Sequence, residues 1–83
     1  MLTTVTLYTK PGCHLCEPVA ATIRAAAEVR RFDFVTRNIL EGPADFAHYQ
    51  FAIPVVTVNG EEIARYRLSL SELLSRLDCV AAG

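Results

Sequence analysis

The stretch Lys10-Pro11-Gly12-Cys13-His14-Leu15-Cys16 constrains the chain more than any other. It follows an apolar, β-branched run and precedes a long alanine-rich segment, so two thiols sit at a strand-to-helix junction. If the helix opens at Cys13, Cys13 and Cys16 fall on the same side of its first turn, close enough to bridge. Unpaired backbone N–H groups and the positive helix end both favour a thiolate there. The stretch therefore points to thiol–disulfide redox chemistry.

The rest of the chain limits where such chemistry can be housed. Its 83 residues can bury one modest core, so 1–83 is read as one domain. Apolar residues make up 52%, too many for a disordered tail. Eight basic and nine acidic residues give a net charge of −1, which argues against nucleic-acid and membrane-surface binding. No apolar run approaches the roughly 18 residues that span a bilayer, and Met1-Leu2-Thr3-Thr4 has no signal-peptide character. A cytoplasmic monomer is expected. Three cysteines are too few, and odd in number, for a secreted disulfide framework. In a reducing compartment one Cys-x-x-Cys reads as catalytic or metal-binding.

Residues 3–9 are rich in β-branched and aromatic types and read as a central strand, ended by Pro11-Gly12. A helix is expected from Cys13 or His14 to about Arg30, with Leu15, Val19, Ile23 and Ala26/Ala27 as its buried stripe and a bend near Pro18. The alternative is a helix beginning at Glu17-Pro18, with both cysteines in the preceding loop. Phe32 to Ile39 reads as the second strand, with one face partly wet. Pro43 opens a short helix that ends near Phe51 or Ala52. Val55 to Val58 is the third strand, and Asn59-Gly60 turns it into an antiparallel fourth strand, Glu61 to Arg65, at an exposed edge. Ser69-Leu70-Ser71-Glu72 is a capping box opening the last helix, with Leu68 and Leu73 as its staple. Leu70, Leu73, Leu74 and Leu77 mark its buried face, and Cys79 its fraying end. The order is β-α-β-α-β-β-α, with the first strands parallel, the hairpin supplying the antiparallel pair and helices available to both faces.

These features together resemble the thioredoxin-like fold, and more closely the small glutaredoxin-like proteins. The matching pieces are the strand at 3–9, Lys10 three residues before Cys13, the Cys13–Cys16 motif, Ile53-Pro54 before a strand, the Asn59-Gly60 hairpin and the final helix. The resemblance covers nearly the whole chain. It implies an α/β, thioredoxin-like (glutaredoxin-like) fold with a four-stranded mixed sheet and helices on both faces. It also implies that Ile53-Pro54 is a cis bond packed beside the thiols, and that the Ile53 backbone pairs with an extended substrate. The plain alternative for Pro54 is an ordinary proline at a strand start. The chain departs from the family in two places. No Trp precedes the motif, and Ala64-Arg65-Tyr66-Arg67 stands where glutathione-binding members carry Gly-Gly and then an acidic residue. A basic residue where the glutathione amine would lie weakens its binding, although Lys10 can still meet a carboxylate.

The expected chemistry assigns Cys13 as nucleophile and Cys16 as the resolving thiol. An ordinary cysteine, with pKa near 8.5, is only about 3% thiolate at pH 7, whereas a value near 7 makes about half of it thiolate. His14 can stabilise that thiolate when protonated, although a helix N-terminus disfavours the imidazolium; the alternative is a solvent-facing histidine. Lys10 can stabilise the thiolate or bind an anionic substrate group. Lys10, His14, Ile53 and Pro54 are thus the substrate-binding candidates. Cys79 and His48 read as passive. The expected substrates are protein or low-molecular-weight disulfides, with a reductase or glutathione as electron donor and no bound cofactor. No metal site is expected, because His14, His48 and Cys79 offer no second ligand pair to complete zinc coordination. The alternatives are a Cu(I) carrier using the thiolate pair, or an iron–sulfur carrier.

Overall fold

The structure, a computed structural model, describes residues 3–82. In chain order it comprises β1 (Thr4–Thr9), α1 (Cys16–Ala27), β2 (Asp33–Asn38), a 3-10 turn (Ile39–Glu41), α2 (Pro43–Tyr49), β3 (Val55–Val58), β4 (Glu61–Arg65) and α3 (Leu70–Ala82). The strands form one mixed sheet in the order β2-β1-β3-β4. β1 runs parallel to β2 and antiparallel to β3, and β3 runs antiparallel to β4. The hairpin is therefore not the only antiparallel pair. The β1–β3 ladder joins segments distant in sequence, which no local pattern announces.

Strand alternation divides the residues between two faces. Val5, Leu7, Val56 and Val58 face Val19, Ile23 and Ala26 of α1 and Leu73 and Leu77 of α3, forming the main core. On the other face Tyr8 meets Tyr49 of α2 with ring centroids 4.5 Å apart, and the Arg37 Nε donates to Asp45 across 3.0 Å. Helices thus cover both faces. The β3–β4 register shifts between Val56 and Thr57, leaving Ile63 as the extra residue of a bulge. The bulge lets the sequence neighbours Ile63 and Ala64 both pack against the core. Asn59 and Gly60 take φ values of 51° and 86°, as a tight hairpin requires. Asn59 also fastens the start of β1, its Oδ1 accepting the Thr4 N–H and its own N–H donating to the Thr4 carbonyl, each at 2.8 Å.

Two helix expectations need correction. α1 begins at Cys16, not at Cys13 or His14, with Leu15 as its N-cap. Pro18 sets this boundary. It has no N–H to bond the His14 carbonyl, so the first helical bond available runs from Val19 to Leu15. Pro18 then sits harmlessly in the first turn. In α3, Ser69 Oγ accepts the Glu72 N–H at 3.1 Å, forming the expected N-cap, while the Glu72 carboxylate accepts from Ser69 Oγ at 2.9 Å rather than from the Ser69 N–H that a capping box uses. Leu68 and Leu73 are buried, but Leu70 is 40% exposed. Periodicity puts Leu70 on the correct side of the helix, but it does not supply a neighbour to cover the first turn. Cys79 is exposed, and the helix continues past it to Ala82.

The segment after α1 is tied to α3 by Arg30, whose Nε and Nη2 donate to the two Asp78 carboxylate oxygens at 2.7 and 3.1 Å. This hydrogen bonding holds the Asp78 carboxyl below its usual pKa. A lowered folded-state pKa contributes stability above the unfolded value, and that contribution is lost as pH falls through the folded value. Thermal melts of Asp78→Asn should show a small loss at neutral pH, small because both partners are solvated, and the gap should close in acid.

Candidate active site

Two consecutive turns carry the chain from β1 into α1. In the first, the Lys10 carbonyl accepts the Cys13 N–H at 3.3 Å, with Pro11 second and Gly12 third at φ 81°. That is the type II arrangement, and its third position requires the freedom of glycine. In the second, the Cys13 carbonyl accepts the Cys16 N–H at 3.3 Å. These turns set the two Cα atoms 5.4 Å apart, and Cys13 and Cys16 form a disulfide. The two residues differ in exposure. Cys16, the first helical residue, is only 5% exposed, while Cys13 in the loop is half-buried. Lys10 and His14 are solvent-exposed, and Leu15 is 59% exposed. The N–H groups of His14 and Leu15 find no backbone acceptor among the described residues. A groove of about 480 Å³ runs beside Cys16, lined by Leu7, Thr9, Glu17, Ala20, Arg24 and Thr36.

The sheet brings the second half of the site to the same place. The β1–β3 register pairs Tyr8 with Val55, and its next step sets Thr9 opposite Pro54. On the other side Pro54 faces Tyr66, whose N–H donates to the Pro54 carbonyl at 2.7 Å. The row Thr9–Pro54–Tyr66 therefore crosses three strands at the end of the sheet from which the Cys13–Cys16 loop departs. The Ile53-Pro54 bond is cis, as the resemblance implied. Pro54 is buried and Ile53 half-buried. The Ile53 N–H and C=O lie outside the ladder and bond no other backbone group among the described residues.

Two residues here were not singled out from the sequence. Tyr66 has φ 70° and sits inside a three-residue turn closed by the Arg67 N–H and the Arg65 carbonyl at 2.8 Å. A bulky L-residue held there costs on the order of 1–3 kcal/mol, which surrounding bonds must offset. Besides its N–H bond to Pro54, its hydroxyl donates to the Phe51 carbonyl at 2.9 Å. Tyr66 thus grips the 51–54 loop at both ends. Phe51 itself is 86% exposed. Nothing in a tyrosine's local sequence marks a positive φ, and an apolar residue ending a helical stretch reads as core.

Arg65 is neutralised by Glu62, Nε and Nη2 donating to the two carboxylate oxygens, which also keeps the Glu62 carboxyl below its usual pKa. Lys10 and Arg67 have no acidic partner among the described residues. His48 packs edge-on against Tyr49 on α2. Cys79 lies at the opposite end of the sheet, beside Glu61, the first residue of β4. Among the described residues no three His, Cys, Asp or Glu side chains gather as metal ligands would, and no helix is long and apolar enough to cross a membrane.

The family described as glutaredoxin-like domain (DUF836) matches residues 4–78 of this chain. Among solved structures, a Nitrosomonas europaea protein is similar at 23% identity with a TM-score of 0.79, covering 92% of each chain. An X. campestris protein is similar at 26% identity and a TM-score of 0.71, covering 90% of this chain and 96% of its own. Thioredoxin 1 of Thermosipho africanus is similar at 20% identity and a TM-score of 0.67, covering 95% and 94%. None of the curated proteins matches. The architecture is the thioredoxin-like fold that the resemblance implied.

Proposed function

Because the chain belongs to the glutaredoxin-like domain (DUF836) family, we propose that it is a small dithiol thiol–disulfide oxidoreductase. The observation that carries this reading is the Cys13–Cys16 disulfide, with Cys16 buried and Cys13 partly exposed, at the end of the sheet that presents Ile53-Pro54.

In the reduced protein the Cys13 thiolate attacks one sulfur of a substrate disulfide. A mixed disulfide forms and the other substrate sulfur leaves as a thiolate. Cys16, deprotonated in turn, attacks the Cys13 sulfur, restores the Cys13–Cys16 disulfide and releases the second substrate thiolate. Two electrons pass to the substrate, and the two thiol protons end on its products. The free amides of His14 and Leu15 and the nearby start of α1 favour negative charge at Cys13. Lys10 adds a positive charge to the same loop. The unpaired N–H and C=O of Ile53 can take an extended substrate backbone. Substrates are protein or low-molecular-weight disulfides, and a dithiol protein or glutathione returns the electrons. No bound cofactor is needed. Arg67, which has no acidic partner among the described residues, makes glutathione the weaker of the two donors.

The test is equilibration in glutathione redox buffers followed by thiol trapping and mass spectrometry. A reversible two-electron transition between dithiol and Cys13–Cys16 disulfide is expected. Failure to form that disulfide in any buffer would leave Cu(I) or iron–sulfur carriage by the thiolates as the better account. Cys16→Ser should accumulate mixed disulfides at Cys13 when given substrate, visible as adducts on non-reducing gels, because the resolving step is lost.

A further inference from the structure

We propose that the 51–54 loop and the Tyr66-Arg67 corner form a specificity surface for an extended protein segment that carries an aromatic and an acidic side chain beside its cysteine. The inference rests on the thiol–disulfide reading above and adds to it the class of substrate. Phe51 exposes 86% of its surface, in a loop whose carbonyls at Phe51 and Pro54 are both held by Tyr66. An aromatic side chain left in water on an anchored loop is pre-organised for contact, since ordering the loop is not deferred to binding. Tyr66, 49% exposed and held in a strained conformation, widens the apolar surface. Ile53, two residues on from Phe51, leaves its backbone N–H and C=O open, which selects an extended partner.

Charge identifies the rest of the partner. At this end of the sheet Arg65 is satisfied by Glu62, but Lys10 and Arg67 have no acidic partner among the described residues. Lys10 follows Thr9 and Arg67 follows Tyr66 in sequence, so an unpaired basic residue adjoins each end of the row Thr9–Pro54–Tyr66. Glu17 is the one acidic side chain in the groove beside Cys16, on the α1 side. An acidic side chain of a bound segment therefore gains at Arg67 or Lys10, and a basic one is repelled.

The experiment measures the rate of mixed-disulfide formation at Cys13 in reduced protein carrying Cys16→Ser and Cys79→Ser, the latter because Cys79 is an exposed free thiol. The probes are two blocked peptides of equal length, each with one cysteine activated as its thiopyridyl disulfide. One has Glu and Phe beside the cysteine, the other Lys and Ser. Bis(2-hydroxyethyl) disulfide serves as a small uncharged reference. Cys13 forms the new S–S bond as the peptide's bond to thiopyridine breaks, and thiopyridone leaves. The Glu/Phe peptide should react about tenfold faster than the Lys/Ser peptide, an advantage that shrinks with added salt. Phe51→Ala should narrow that ratio, and Arg67→Glu should invert the charge preference. Both positions are exposed, so neither change disturbs the core. Equal peptide rates in all these proteins, with the small disulfide still reacting, would overturn the specificity surface and leave the redox reading standing. No reaction with any of the three disulfides would remove the redox reading and this inference with it.

Discussion

Cys13→Ser protein should lose thiol–disulfide exchange down to the uncatalysed background, and no other single side-chain change should do so as completely. The hydroxyl that replaces the thiol does not ionise near neutral pH and forms no disulfide. Cys16 cannot substitute for it as the attacking group, because it is 5% exposed and occupies the first position of α1. Reduction of an insulin-type or small-molecule disulfide, followed against Cys16→Ser, separates the two thiols. With the exposed Cys79 also replaced by serine, Cys13→Ser should show neither turnover nor adduct, whereas Cys16→Ser should show adduct without turnover. Full activity in Cys13→Ser would end the proposed mechanism.

The second large effect concerns the core under the site. Ile23 is fully buried on α1, packed in the cluster with Val5, Leu7, Val56 and Leu73. Ile23→Ala removes three carbons from a place that cannot collapse without moving the helix, and such changes cost about 2–5 kcal/mol. At roughly 0.05–0.15 kcal/mol per residue, a chain of this length has only about 4–12 kcal/mol in all. The melting temperature should therefore fall by on the order of 10–30 °C in a calorimetric or circular-dichroism melt. A fall of only a few degrees would mean that the space refills, and that α1 is held less firmly than its buried stripe implies.

Much of this was legible in the sequence because the signals were local. Cys13-His14-Leu15-Cys16, Asn59-Gly60 and Ser69 with Glu72 each act over a few residues, and each forms the turn or cap that its chemistry dictates. The helix boundary went astray because two local rules competed. The thiol motif invites a helix at Cys13, and Pro18 forbids the bonds that such a start needs. What stayed hidden depends on distant partners. The β1–β3 pairing, the exposure of Leu70 and the grip of Tyr66 on Phe51 are decided by what lies across the sheet. The family resemblance placed Ile53-Pro54 in the site, but it had nothing to say of the neighbouring aromatic residues.

The β1–β3 ladder also governs how the site comes into being. Thr9 and Val55 are separated by α1, β2 and α2, yet they lie at one end of the two central strands. While a chain is being synthesised, β1, α1 and β2 can assemble first, with both cysteines already present. Until β3 arrives, the inner edge of β1 remains open, a row of unpaired amides and carbonyls flanked by Val5 and Leu7. A nascent or truncated chain that stops short of Val55 therefore holds both cysteines before the 51–54 loop is fixed between β1 and β4. It also presents a sticky edge to any neighbouring strand.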